Sequence, residues 1–174
     1  MKKSLIVLSL VVLSGTLFLT ACKKDNNEKN STTVNVRLTD QPADYAEVNV
    51  DIKEIRVKFT DESSDDGWQT LPTHAGIYNL LDYQNGKDTL LATGIVIANS
   101  IQQIRFILGS DNSIKVGTQV YPLTIPSGAE SGLKLMINKK LSQSQENLIV
   151  DFDALLSIKQ ENGSYKLRPV LKLK

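Results

Sequence analysis

Histidine, cysteine and tryptophan each occur once in this 174-residue chain, and aromatic residues make up only 6% of it. A single histidine, His74, excludes multi-histidine zinc sites and any two-histidine motif. No phosphate loop, dinucleotide fingerprint or G-x-S-x-G elbow is present. An excess of either charge is missing too, with 20 Lys and Arg against 19 Asp and Glu. Nucleic acid demands a basic patch or stripe, so it is not among the expected partners. Nothing after residue 33 shows sustained helical periodicity, and no segment repeats internally.

What the chain does have begins at its N-terminus. Lys2 and Lys3 precede an apolar run from Leu5 to Leu19, diluted by Ser9, Ser14, Gly15 and Thr16. The run is short for a spanning helix, which takes about 20 apolar residues. It has the layout of a secretory signal, which is removed on export. The run ends in Leu19-Thr20-Ala21-Cys22, and this tetrapeptide resembles the lipobox of bacterial lipoproteins. The resemblance implies that Cys22, the only cysteine, becomes the acylated first residue of the mature protein. Lipidation of Cys22 leaves no thiol for disulfides, nucleophilic catalysis or metal ligation. A diacylglyceryl group plus an amide-linked chain such as palmitate anchors stably, because each buried methylene contributes about 0.8 kcal/mol. Removal of Lys2 and Lys3 leaves 18 basic against 19 acidic side chains.

Residues 22–33 contain no apolar side chain after Cys22, which reads as a flexible tether ahead of a domain at 34–174. Lys23 occupies the position where an Asp marks inner-membrane retention in enterobacterial lipoproteins. The Lys23-Lys24-Asp25…Glu28 stretch is similar to export signals of Bacteroidetes surface lipoproteins. The expected location is therefore the outer membrane, on its periplasmic or cell-surface side.

Strand patterns fill the rest. Val34, Val36 and Leu38 alternate with polar residues. Val48, Val50 and Ile52 alternate as well, as do Ile55, Val57 and Phe59, but the two sets have opposite parity. One extra residue near Lys53-Glu54 restores the apolar face, which predicts a β-bulge or a crossing between sheets. Further strands are expected at Trp68–Leu71, Gly76–Leu81, Ile95–Ala98, Ile104–Leu108 and Ile114–Val116. Gly117-Thr118 can close a hairpin to Val120-Tyr121. Pro122 and Pro126 predict that the piece between them is an edge strand or an extended loop. Leu133–Ile137, Leu148–Phe152 and, after the Asn162-Gly163 turn, Leu167–Leu173 complete the set. About nine or ten short strands at near-regular spacing predict an all-β, two-sheet sandwich.

Chemistry-bearing groups are few. Asp61, Asp65 and Asp66 supply hard oxygens that could hold calcium, but they do not fit the D-x-[DN]-x-[DN]-G loop, and a solvated hairpin tip is the competing reading. Asp151 and Asp153 lie two apart and share a side of a strand, as paired acid–base carboxylates would; a hydrogen-bonded strand end is the plainer alternative. His74 lies in a Pro-Thr-His-Ala-Gly loop without the context of a catalytic base. Trp68, Tyr78, Tyr83 and Tyr121 could form a sugar-stacking platform or simply pack in the core. Asp88-Thr89-Leu90 resembles the Bacteroidetes sequon for O-glycosylation at Thr89. No catalytic residue, metal or cofactor is expected, and the protein is expected not to be an enzyme.

Several stretches together carry a family resemblance. They include Val36-Arg37-Leu38-Thr39-Asp40-Gln41-Pro42-Ala43, Val48 to Val57, Tyr78 to Gly86, Gln103 to Leu108 and Pro126-Ser127-Gly128. Ser131 to Leu135, Asp151-Phe152-Asp153-Ala154 and Leu167-Arg168-Pro169-Val170 extend the series. Over about residues 34–172 the chain resembles the domain of unknown function 4382, found in lipoproteins of Bacteroidetes and other bacteria. The match departs at Ile95 to Ser100, where a Gly-Thr/Tyr turn is expected. The resemblance implies a prealbumin- or immunoglobulin-like sandwich and carries no established activity. The expected partners are therefore a membrane, through the lipid, and a protein or glycan ligand bound without catalysis. An assembly component that pairs through an edge strand, like a fimbrial anchor, is the alternative.

Overall fold

The computed structural model describes residues 31–59, 67–126 and 132–174. In chain order the strands are β1 (Ser31–Thr39), β2 (Glu47–Lys58), β3 (Trp68–Leu71), β4 (Gly76–Asn79), β5 (Thr89–Ile97), β6 (Ser100–Leu108) and β7 (Ser113–Val116). They continue with β8 (Gln119–Thr124), β9 (Leu133–Lys140), β10 (Gln145–Phe152), β11 (Ile158–Glu161), β12 (Ser164–Leu167) and β13 (Leu171–Leu173). A 3₁₀ turn at Leu80–Tyr83 and a single helical turn, α1 (Ala154–Ser157), interrupt them.

The strands form two mixed sheets, so the all-β sandwich expected from sequence is what the chain adopts. One sheet has the order β13-β10-β1-β5. The other runs β11-β12-β8-β7-β2-β6-β9, with β3 and β4 also paired to β2. β1 pairs parallel with β10, and β12 parallel with β8. Alternation sends Val34, Val36 and Leu38 of β1 and Leu148, Val150 and Phe152 of β10 inward, against Ile55, Val57, Ile104 and Phe106 of the larger sheet.

The parity break in β2 is a bulge. Ile52 pairs with Leu108 but Glu54 pairs with Ile107, leaving Lys53 as the additional residue. Val50, Ile52, Ile55 and Val57 are consequently all fully buried. The two expected hairpin turns also form: Gly117 joins β7 to β8 at φ +60°, and Asn162-Gly163 joins β11 to β12 with both residues at positive φ.

Other expectations need correction. β8 is neither an edge strand nor an extended loop, because β7 covers one side and β12 the other. Pro122 is tolerated because β12 reaches β8 only at Leu123 and Thr124. β1 begins at Ser31, three residues inside the stretch read as tether. Backbone pairing needs no apolar side chain, and Thr33 N donates to the Ser144 carbonyl while the Thr32 hydroxyl donates to that of Gln143. Leu167–Leu173 is split at Pro169 between β12 and β13, which lie in different sheets. The strand expected at Ile95–Ala98 starts at Thr89, and only Ala98 and Asn99 separate it from β6.

That two-residue connection defines one end of the sandwich. Ser31, where β1 starts, pairs with Ile97, and β6 then runs away from this near end to finish at Leu108.

Candidate functional site

The far end of β6 carries a concavity among the described residues. A cavity of about 420 Å³ is lined by Leu108, Gly109, Ser110 and Asn112 on one side. Pro122, Leu123, Thr124 and Ile125 line the other. Among the described residues its walls hold no charged side chain, and apolar groups outnumber the few polar ones, the usual makeup of a small-molecule site. A smaller recess of about 160 Å³ adjoins it, sharing Pro122 and Thr124 and bounded by Tyr121, Tyr165 and Lys166. The Tyr121 and Tyr165 rings pack at 5.1 Å between centroids, tilted by 52°. Lys166 Nζ donates to the Thr124 hydroxyl at 3.0 Å.

A buried carboxylate holds the wall between β6 and β7 in place. Asp51 points to the outer side of β2, yet is only 1% exposed. Its backbone N donates to Asn112 Oδ1 at 2.9 Å, and Asn112 Nδ2 donates to the Gly109 carbonyl at 2.8 Å. Gly109 N donates to the Asp51 carbonyl, and Lys53 Nζ lies 2.8 Å from Asp51 Oδ1. Gly109 leaves no room for a side chain, since a Cβ would lie 2.7 Å from the Asp51 Cγ and closer still to its Oδ2. Nothing local in the sequence marks this cluster, because the parity of β2 assigns Asp51 to solvent.

The aspartates read as an acid–base pair do not line the cavity. Asp151 is fully buried at the end of β10, and its Oδ2 accepts from Gln41 Nε2 at 2.8 Å. Lys172 Nζ sits 3.7 Å from Asp151 and 3.2 Å from Asp153, and Lys174 sits 3.7 Å from Asp151. Asp153 caps α1 by accepting from Leu156 N. The pair ties β10, β13 and α1 together, as the hydrogen-bonded strand end requires.

Asp40 joins this cluster from the end of β1, with Oδ1 accepting from Ala154 N at 2.9 Å. Burial raises its carboxyl above the usual 3.8, and neighbouring Asp151 adds to the rise, against hydrogen bonds from Ala154 and Gln84 that lower it. The folded state therefore holds this proton more tightly than the unfolded chain. The resulting stability is fully present below 3.8 and is lost as pH rises through the folded pKa. Asp40→Asn should flatten that dependence, so its urea midpoint should gain on the parent's as pH rises through the weakly acidic range. Parallel midpoint-against-pH curves would contradict the assignment.

The four named aromatics do not form one platform. Tyr78 packs with Tyr83 at 6.3 Å, and Tyr121 with Tyr165. Trp68 lies across the outer face of the larger sheet, with the Arg105 guanidinium 4.2 Å and Lys58 Nζ 5.8 Å from its ring. Scattered placement follows from their strands, as β3, β4 and β8 occupy separate parts of the sheet. His74 is exposed; its backbone N bonds the Leu91 carbonyl, and its carbonyl accepts from the Tyr78 hydroxyl. Thr89 starts β5 opposite Leu38, half-buried, while Asp88 beside it pairs with Arg37. Cys22, Asp61, Asp65 and Asp66 lie outside the described residues.

Among the described residues, no group of three or more His, Cys, Asp or Glu side chains is arranged to hold a metal ion. None of their helices is long and apolar enough to cross a membrane. No curated protein and no solved structure matches the chain. The family model described as Domain of unknown function (DUF4382) matches residues 31–169, most of the sequence. With the β-sandwich that the strand pattern called for, the chain belongs to that family.

Proposed function

We propose that this protein is a lipid-anchored binding or adhesion module of the outer membrane, on its periplasmic or surface face, which holds an uncharged ligand without transforming it. The observation that carries the reading is the cavity at the far end of β6, whose described walls bear no charged side chain. Glycans are the ligand class to test first. Their apolar faces suit the Tyr121–Tyr165 pair beside the cavity, and their hydroxyls suit Ser110 and Thr124. The anchor reading rests on Leu19-Thr20-Ala21-Cys22 behind an apolar run.

The assembly reading has less support. Edge strand β9 carries Lys134, Lys139 and Lys140, and Asn138 at φ +45°, features that blunt an edge against pairing.

One variant tests both parts. Cys22→Ala should move the protein from the membrane to the soluble fraction, and a protein that still pellets with membranes contradicts the anchor. The soluble form should bind on a glycan array, and Ser110→Trp, which fills the cavity from an exposed position, should abolish that binding. A blank array rejects the glycan assignment.

A further inference from the structure

Two large apolar side chains stand in water beside the start of the domain. Ile95 is 65% and Ile97 60% exposed, while Val96 between them is fully buried. Alternation along β5 therefore puts both isoleucines on the outer face of the smaller sheet. There they lie opposite Thr33 and Ser31, the first residues of β1.

We infer that this corner of the sandwich rests on the lipid bilayer, with Ile95 and Ile97 seated among the headgroups and upper acyl chains. The inference rests on the lipid-anchor reading of Cys22. Nine chain steps separate Cys22 from Ser31, so even a fully extended chain holds Ser31 within about 32 Å of the acylated residue. Ile97 is the strand partner of Ser31, so the same chain length confines it near the membrane. A weak apolar contact then acts at high effective concentration, as the second event of a tethered pair.

The backbone of β5 argues against a second copy as the occupant. Thr93 N donates to the Pro72 carbonyl, and Gln69 Nε2 donates to the Ile95 carbonyl, so the edge of β5 is already partly occupied. The face of the strand stays open, and it presents Ile95 and Ile97 beside the small polar side chains of Ser31 and Thr33. Among the described residues, charges at this end have both signs, for Lys139 pairs with Glu146 and Lys140 is exposed. Attraction to anionic headgroups is therefore not the driving term, and docking should be insensitive to salt. In this pose β6 rises from the membrane and carries the cavity at its far end.

The test uses the acylated protein in phosphatidylcholine vesicles containing a lipid-chain quencher. Fluorophores are placed at Ser31→Cys or Ser110→Cys, both exposed, and flotation is recorded in parallel. The Ser31 label should be quenched and the Ser110 label should not, at low and at raised salt. Adding Ile95→Ser and Ile97→Ser should lower the docked-to-free ratio about tenfold while the protein still floats. A Ser31 label that stays in water on floating protein overturns the docking alone. Protein that does not float overturns the anchor and the docking together. A label that changes equally in concentrated Cys22→Ala protein without vesicles reports self-association, and that too overturns the docking.

Discussion

Deleting Lys53 is expected to abolish the fold, although its side chain is exposed. The bulge at this residue lets Val50 and Ile52 on one side and Ile55 and Val57 on the other face the same core. Without it the strand has a strict period of two, and Ile55 and Val57 turn outward if the first half keeps its place. Burial of each such side chain contributes about 1.5–3 kcal/mol, and a domain of this size has only about 5–15 kcal/mol in reserve. The pairing of Ile55 with Leu71 and Phe106 is lost with them. Loss of near-ultraviolet circular dichroism and of a cooperative urea transition is the expected readout. Lys53→Arg, which keeps the bulge and the ion pair to Asp51, should stay close to the parent. A deletion protein that melts cooperatively near the parent's midpoint would falsify this account.

Gly109→Ala should be nearly as damaging, for a different reason. The added methyl would collide with the Asp51 carboxylate and the Lys53 Cε. Asp51 cannot retreat into water, since it is 1% exposed, so the clash displaces a buried charge from its lysine. Overpacking alone costs about 1–3 kcal/mol, and moving the buried Asp51 carboxylate away from the half-exposed Lys53 adds to it. Urea unfolding should therefore show a midpoint far below the parent's with an unchanged slope. A double-mutant cycle supplies the check. In an Asp51→Ala background, Gly109→Ala should cost much less, because the carboxylate it strikes is gone and the half-exposed Lys53 side chain, released from it, can swing aside. Additive penalties would mean that the glycine is needed for something other than its closeness to Asp51.

Legibility in the sequence followed distance along the chain. The alternation of Val34, Val36 and Leu38, the parity break at Lys53 and the Asn162-Gly163 turn are local signals, and each has its structural counterpart. Pairings between distant segments left no such trace. β8 looked like an edge because Pro122 cannot donate to a ladder, and its second neighbour comes some 40 residues later, at Tyr165 and Lys166. The cavity has the same origin, since its walls come from residues 108–110, Asn112 and residues 122–125, and a tyrosine beside it from β12. The buried polar groups Asp51, Lys58 and Arg105 all occupy outward-facing strand positions. Period-two patterning assigns such positions to solvent whatever lies over them.

The parallel pairing of β1 with β10 also sets a timetable. β1 is an inner strand of its sheet, with β5 on one side and β10 on the other. Asn35 donates to Asn147 across that seam, 112 positions further along the chain. Closing so long a loop comes late and slowly, because its entropy must be met before the contacts reward it. A chain emerging from its N-terminus therefore holds Val34, Val36 and Leu38 with one flank unpaired until its last third appears. During that interval β1 is an open edge, and this waiting segment is where a nascent copy is most exposed to pairing with the wrong strand.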